Sequence, residues 1–126
     1  MNVGRTVFVG KKILFVDDDE MWRKRVTASL AAAGYDPVTA GDASEAMALA
    51  DQAHPRVIIL DIDLNGEDGV ILLKFLKRNH PKTPILVFTG VEHDQAEIQD
   101  ILALGADQYL AKTNADQLIV AVGSYA

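Results

Sequence analysis

The 126-residue sequence contains no cysteine. That absence excludes disulfides, thiolate nucleophiles and cysteine-ligated metal centres, so the fold stands on packing alone. No apolar run approaches the ~20 residues needed to span a bilayer. The amino terminus also lacks a long apolar core followed by a small-residue cleavage site, so neither membrane insertion nor secretion is indicated and a cytoplasmic location is the default. Positive charge is scarce: 12 Lys and Arg against 18 Asp and Glu leave a formal net charge of −6. Such a balance argues against direct nucleic-acid binding, because phosphate backbones are gripped by basic patches. No Pro-, Gly- or Ser-rich linker, internal repeat or low-complexity segment divides the chain. Its length suits a single domain.

What is present is a 49% hydrophobic, 24% charged composition, ordinary for a folded soluble domain. The apolar residues fall into short runs that end in polar ones. Residues 56–63, Arg-Val-Ile-Ile-Leu-Asp-Ile-Asp, read as a strand buried on both faces that surfaces at Asp61. Residues 13–16, Ile-Leu-Phe-Val, likewise end in Asp17, Asp18 and Asp19. Between them, Trp22, Val26, Leu30 and Ala33 recur at helical spacing up to Gly34, a helix-stopping residue. Trp22 reads as a core anchor at the start of that helix, and Arg23, Lys24 and Arg25 as a solvated face or a receiver of acidic partner surface. Residues 35–40 predict a short edge strand containing Pro37. Asp42-Ala43-Ser44-Glu45 has capping-box form and opens an Ala-rich helix. After a loop at 62–67, Val70, Leu73 and Leu76 mark a helix that stops before Pro81. Residues 83–89 predict a fourth strand ending at Thr89, 96–104 a helix closed by Gly105, 107–111 a fifth strand leading to Lys112, and 116–122 a last helix. Residues 1–11 read as a flexible arm, and 12–126 as the domain.

Five alternating strand and helix units with short connections specify a parallel sheet covered by helices on both faces. In such doubly wound α/β sheets the site lies outside the carboxyl ends of the strands. Asp17, Asp18, Asp61, Asp63, Thr89 and Lys112 all fall there. Clustered carboxylates repel, by about 4 kcal/mol for a pair ~4 Å apart at an effective dielectric near 20. Lys112 and a divalent cation would offset this, and the all-oxygen donor set suits Mg²⁺ rather than zinc. A central carboxylate in such a site serves as a nucleophile on phosphorus, and Asp61 is the candidate. His54 and His80, each before a proline near a helix end, and His93, in a loop, are weak candidates for ligands or phosphodonors.

With Asp17 and Asp18, Asp61, Thr89 and Lys112 in this order, the sequence resembles the receiver domain of two-component response regulators, of the chemotaxis-regulator-like kind. The likeness covers about residues 12–126. It rests on Lys-Lys-Ile-Leu-Phe-Val-Asp-Asp-Asp at 11–19, Val-Ile-Ile-Leu-Asp-Ile-Asp-Leu at 57–64, Leu-Val-Phe-Thr-Gly at 86–90 and Leu-Gly-Ala-Asp-Gln-Tyr-Leu-Ala-Lys at 104–112. The resemblance implies a flavodoxin-like sheet of order 2-1-3-4-5. It implies that Asp61 accepts a phosphoryl group from a histidine kinase or a histidine phosphotransfer protein. Mg²⁺ would be held by Asp18, Asp61 and the Asp63 backbone carbonyl, with Asp17 acting through water. Thr89 and Tyr109 would form the switch pair that reshapes a protein-interaction surface for a downstream protein target. The chain would then be a signalling phosphoprotein that catalyses only its own phosphorylation and dephosphorylation.

Three departures from the family pattern stand out. Asn65 replaces a common proline, Thr113 replaces the proline that usually follows the lysine through a cis bond, and Asp63 adds a carboxylate beside the acceptor. Two other readings compete. Asp61-Ile62-Asp63 resembles the nucleophile motif of haloacid-dehalogenase-like phosphatases, although that motif normally ends a first strand. A phosphorylation-independent docking module is the other.

Overall fold

The computed structural model describes residues 10–64 and 66–126. The expected arm therefore lies almost wholly outside the described residues, as does Asn65.

The elements run β1 (Lys12–Val16), α1 (Glu20–Ala32), β2 (Asp36–Ala40), α2 (Ala43–Ala53), β3 (Val57–Leu60), β4 (Asp63–Leu64), β5 (Glu67–Asp68), α3 (Gly69–Asn79), β6 (Ile85–Thr89), α4 (Gln95–Ala103), β7 (Gln108–Ala111) and α5 (Ala115–Tyr125). The five main strands form one parallel sheet of order β2-β1-β3-β6-β7, which is 2-1-3-4-5 when only those strands are counted. Pro37 sits on an edge strand as expected, in register with Ile13. The segment expected to be a plain loop at 62–67 instead holds the two-residue antiparallel pair β4 and β5.

The alternation of side chains along the strands divides the core into two layers. Leu14, Val16, Ile58, Leu60, Ile85 and Val87 pack on one face with Ala46 and Ala50 of α2, Leu73 and Leu76 of α3 and Ile101 of α4. Ile13, Phe15, Val57, Ile59, Leu86 and Phe88 pack on the other with Val26 and Leu30 of α1 and Leu118 and Val122 of α5. Each fully buried side chain of this size contributes about 1.5–3 kcal/mol, so the central strands are the most firmly held part of the molecule.

The helix starts explain why so many acids belong to the fold rather than to chemistry. Asp19, Asp42, Asp68, Asp94 and Asn114 occupy the N-cap positions of α1 to α5 in order, each accepting a hydrogen bond from the first turn, an arrangement worth about 1 kcal/mol per cap. At α2 the capping box is incomplete: Asp42 accepts from the Glu45 N–H, but the Glu45 carboxylate takes the N–H of Gly41 instead of that of Asp42. The complete reciprocal box lies at Asp94 and Glu97. Gly34 closes α1 with φ 90, a left-handed conformation that an L side chain rarely adopts. Gly69 has a different role. A Cβ there would lie 2.3 Å from the Ile62 carbonyl oxygen, so only glycine lets the start of α3 press against the residue that follows Asp61.

Candidate functional site

Strand register brings the site together. Val16 pairs with Leu60, Leu60 with Val87, and Thr89 with Ala111, so Asp17, Asp61, Thr89 and Lys112 emerge side by side. Backbone bonds continue past the strands: the Asp61 N–H donates to the Val16 carbonyl at 2.9 Å and the Lys112 N–H to the Thr89 carbonyl at 2.8 Å. Among the described residues, the buried polar or charged ones are Asp17, Asp61 and Thr89. All three lie at this edge. Burial of polar groups is unfavourable unless they are paired, so their concentration here makes this edge the candidate site.

Lys112 bridges the two buried acids. Its ammonium lies 2.6 Å from Asp17 Oδ2 and 2.7 Å from Asp61 Oδ2. It does so without the proline of the family pattern and without a cis peptide bond among the described residues, so the Lys112–Thr113 bond is trans and the lysine still reaches the site. Asp61 Oδ1 accepts the Asp63 N–H at 3.0 Å, and Asp17 Oδ1 accepts the Asp19 N–H at 2.9 Å, which fixes both carboxylates in orientation. Burial pushes the Asp17 carboxyl above its usual range, and the Lys112 ammonium and the Asp19 N–H beside it pull it only part of the way back. For Lys112, burial alone favours the neutral amine, but the Asp17 and Asp61 carboxylates beside it outweigh that and hold its pKa above 10.5. The ammonium therefore stays charged at neutral pH.

Asp18 completes the acidic cluster from an exposed position: one oxygen from each of Asp17, Asp18 and Asp61 lies within 4.8 Å of the others. Three carboxylates against one ammonium leave two negative charges, which a divalent cation matches. The donors are all hard oxygens, and Asp17 Oδ2, although close to Lys112, accepts no well-directed hydrogen bond in its buried position. The residues fit a magnesium ion. Asp63 stands apart. Its carboxylate is exposed and outside the cluster, and its backbone N–H is what touches Asp61.

Several residues prove to have more specific roles than the sequence suggested. Trp22 packs edge-on against Phe88, with ring centroids 5.4 Å apart, and the Lys112 ammonium lies 5.1 Å from its ring centroid. It is both a core anchor and a wall of the site, which spacing along a helix could not reveal. The basic cluster is divided: Arg23 donates to the Asp17 carbonyl at 2.8 Å, Lys24 pairs with Glu20, and Arg25 lies over Trp22. Asp19, adjacent to the acidic pair, caps a helix. Thr89 Oγ1 accepts the Val91 N–H at 3.3 Å. Tyr109, half-buried on β7, donates to the Val91 carbonyl at 3.3 Å and also meets His93 Nδ1. Burial, then the Glu97 and Asp61 charges, raise the Tyr109 pKa. None of the three histidines joins the acidic cluster. His54 caps α2 in a left-handed conformation, and His80 meets Asp51 at 2.9 Å.

A family model described as the response regulator receiver domain matches residues 13–123. The chain belongs to that family. Among relatives, this receiver domain is 37% identical over 101 residues to the transcriptional regulatory protein PmrA of Pectobacterium parmentieri, covering 80% of this chain and 45% of PmrA. The chain thus spans about half the length or less of the curated relatives it matches. Among solved structures, the chemotaxis protein CheY4 of Vibrio cholerae superposes with a TM-score of 0.86 at 32% identity, covering 94% of this chain and all of that one. The response regulator TrrA of Thermotoga maritima, in complex with Mg²⁺ and a beryllium fluoride, superposes with a TM-score of 0.82 at 27% identity over 92% of this chain and 99% of its own. Membership of this family, with Asp63 outside the cluster, removes the phosphatase reading of Asp61-Ile62-Asp63. Among the described residues no helix is long and apolar enough to cross a membrane.

Proposed function

We propose that this receiver domain takes a phosphoryl group onto Asp61 from the phosphohistidine of a kinase or phosphotransfer protein and passes the change to a downstream protein in the cytoplasm. The observation that carries the reading is the clustering of Asp17, Asp18 and Asp61 oxygens within 4.8 Å, with Lys112 bridging the two buried acids. In the transfer, an Asp61 carboxylate oxygen attacks phosphorus, the phosphorus–nitrogen bond of the donor breaks, and the imidazole leaves with its electron pair and takes up a proton. The Asp63 N–H and Lys112 hold the carboxylate in place for the attack. Lys112 then faces the charge on the phosphoryl oxygens, and the Thr89 hydroxyl donates to one of them. Asp17, Asp18, Asp61 and the Asp63 carbonyl would hold Mg²⁺, which when bound supplies charge neutralisation at the phosphoryl group. Hydrolysis returns the carboxylate and inorganic phosphate, so the domain catalyses only its own modification and its loss.

Incubation with a small acyl phosphate and Mg²⁺, followed by intact mass measurement, tests this. One phosphoryl adduct is expected, absent from Asp61→Asn and absent when Mg²⁺ is chelated. No adduct, together with no binding of beryllofluoride, would overturn it.

A further inference from the structure

His93 is the one histidine that touches a residue of the switch pair. We propose that it is a positioning residue, a latch that holds Tyr109 against the loop after Thr89 and joins that loop to the start of α4. The inference rests on the reading of Thr89 and Tyr109 as the switch pair.

The contacts form a chain. Val91 ties the pair together, because its N–H donates to Thr89 Oγ1 while its carbonyl accepts from the Tyr109 hydroxyl. Two residues on, His93 Nδ1 meets the same hydroxyl, and the two rings stand edge to face with centroids 5.6 Å apart and planes at 87°. Proton counting says what both contacts require if they are hydrogen bonds at the same time. The Val91 carbonyl can only accept, so the single Tyr109 hydroxyl proton goes to it, and His93 must bring a proton on Nδ1 for the second bond. Both bonds are then satisfied at once. His93 is itself held from behind, since the next residue, Asp94, is the N-cap of the complete capping box that starts α4. A movement of Thr89 is thereby transmitted through Val91 and Tyr109 to a histidine anchored on α4.

The latched arrangement is ready for the phosphoryl group. Thr89 Oγ1 uses a lone pair on Val91, which leaves its own O–H free to donate. Thr89, His93, Tyr109 and Lys112 line one cleft of about 460 Å³. We take this placement of Tyr109 as the one the phosphorylated form uses, so that binding at Asp61 need not order it and the latch favours that form in the way preorganisation favours any ligand.

Two substitutions separate the bond from the ring: His93→Phe keeps an aromatic face and loses the Nδ1 proton, and His93→Gln keeps a donor and loses the ring. In the free protein, NMR coupling constants of Tyr109 should show one side-chain rotamer in the wild type, averaging in His93→Phe and substantial recovery in His93→Gln. Titration with beryllofluoride and Mg²⁺, read from the fluorescence of Trp22 beside Lys112, should show binding weakened about three- to tenfold in His93→Phe, the range one hydrogen bond supplies, and within about twofold of wild type in His93→Gln. A Tyr109 rotamer unchanged in both variants would overturn the latch, as would equal or tighter binding in His93→Phe. Failure of the wild type to bind beryllofluoride would overturn the phosphoacceptor reading and the coupling with it, while the rotamer measurement in the free protein would still decide whether His93 restrains Tyr109.

Discussion

The acid centre at the ends of β1 and β3, reached by Lys112 from the end of β7, and the Thr89 and Tyr109 pair carried by β6 and β7 belong to one sheet, yet they are held by different physics. At the centre, Asp17 and Asp61 are buried, a lysine bridges them at 2.6 and 2.7 Å, and backbone N–H groups fix their orientation. At the rim, Thr89 is buried but its neighbours are not: Val91 is 41% exposed, His93 and Tyr109 are half-buried, and the links are single hydrogen bonds of 3.3 Å or one imidazole contact. Strong, desolvated charge pairs keep one geometry, whereas neutral bonds worth about 1 kcal/mol each exchange readily. The contrast teaches a division of labour. On the proposed reading the centre takes up and senses charge, and the rim, held by weaker bonds, passes the change on.

Breaking the centre should have the largest effect. Lys112→Met leaves two buried carboxylates without their cation and should destabilise the fold by about 3 kcal/mol at neutral pH, measured by urea unfolding. The sign of the pH dependence follows from the raised Lys112 pKa. The stability it supplies is fully present below 10.5 and is lost as the pH rises through the higher value of the folded state. On the alkaline side, the difference between wild type and variant should therefore narrow only above 10.5. A difference that closed between neutrality and 10.5 would contradict the assignment.

Asp18→Asn tests the exposed side of the same centre. It should weaken Mg²⁺ binding about tenfold, seen in a titration followed by Trp22 fluorescence, while moving the unfolding free energy by no more than about 0.5 kcal/mol. A large loss of stability would mean that Asp18 belongs to the fold and not to the metal site. Smaller still is the effect of Asp63→Asn. An exposed charge is worth about 1 kcal/mol or less, so the dephosphorylation rate should change by up to roughly fivefold. An unchanged rate would show that this carboxylate neither repels the phosphoryl group nor orients water.

The centre was far more legible in the sequence than the rim. Val57 to Leu60 and Ile13 to Val16 are apolar runs that end in acids, and a parallel sheet leaves such runs no other reading. The topology then forces their ends together. The pairing of Lys112 with those acids follows from charge alone. What escaped was local or depended on side-chain direction. A pair of two-residue strands at Asp63–Leu64 and Glu67–Asp68 has no periodicity to detect, and the last helix runs on to Tyr125, past the end of its clearest apolar stripe at Val122. The Glu45 carboxylate takes the N–H of Gly41 rather than that of the cap residue, a choice between neighbouring donors that spacing cannot resolve. Trp22 and His93 were undervalued for a common reason: each acts through a residue far away in the sequence, Lys112 or Tyr109, that only the folded chain brings beside it.

The most direct test of the account is to place the phosphoryl group chemically. An acyl phosphate is reduced by borohydride to the alcohol, so treating the phosphorylated protein and mapping its peptides marks the acceptor as homoserine. Homoserine at position 61, formed only when Mg²⁺ is present, is the predicted result. Homoserine at 17, 18 or 63, or labelling at 61 that persists after chelation of Mg²⁺, would contradict the assignment of Asp61 as a metal-assisted phosphoacceptor.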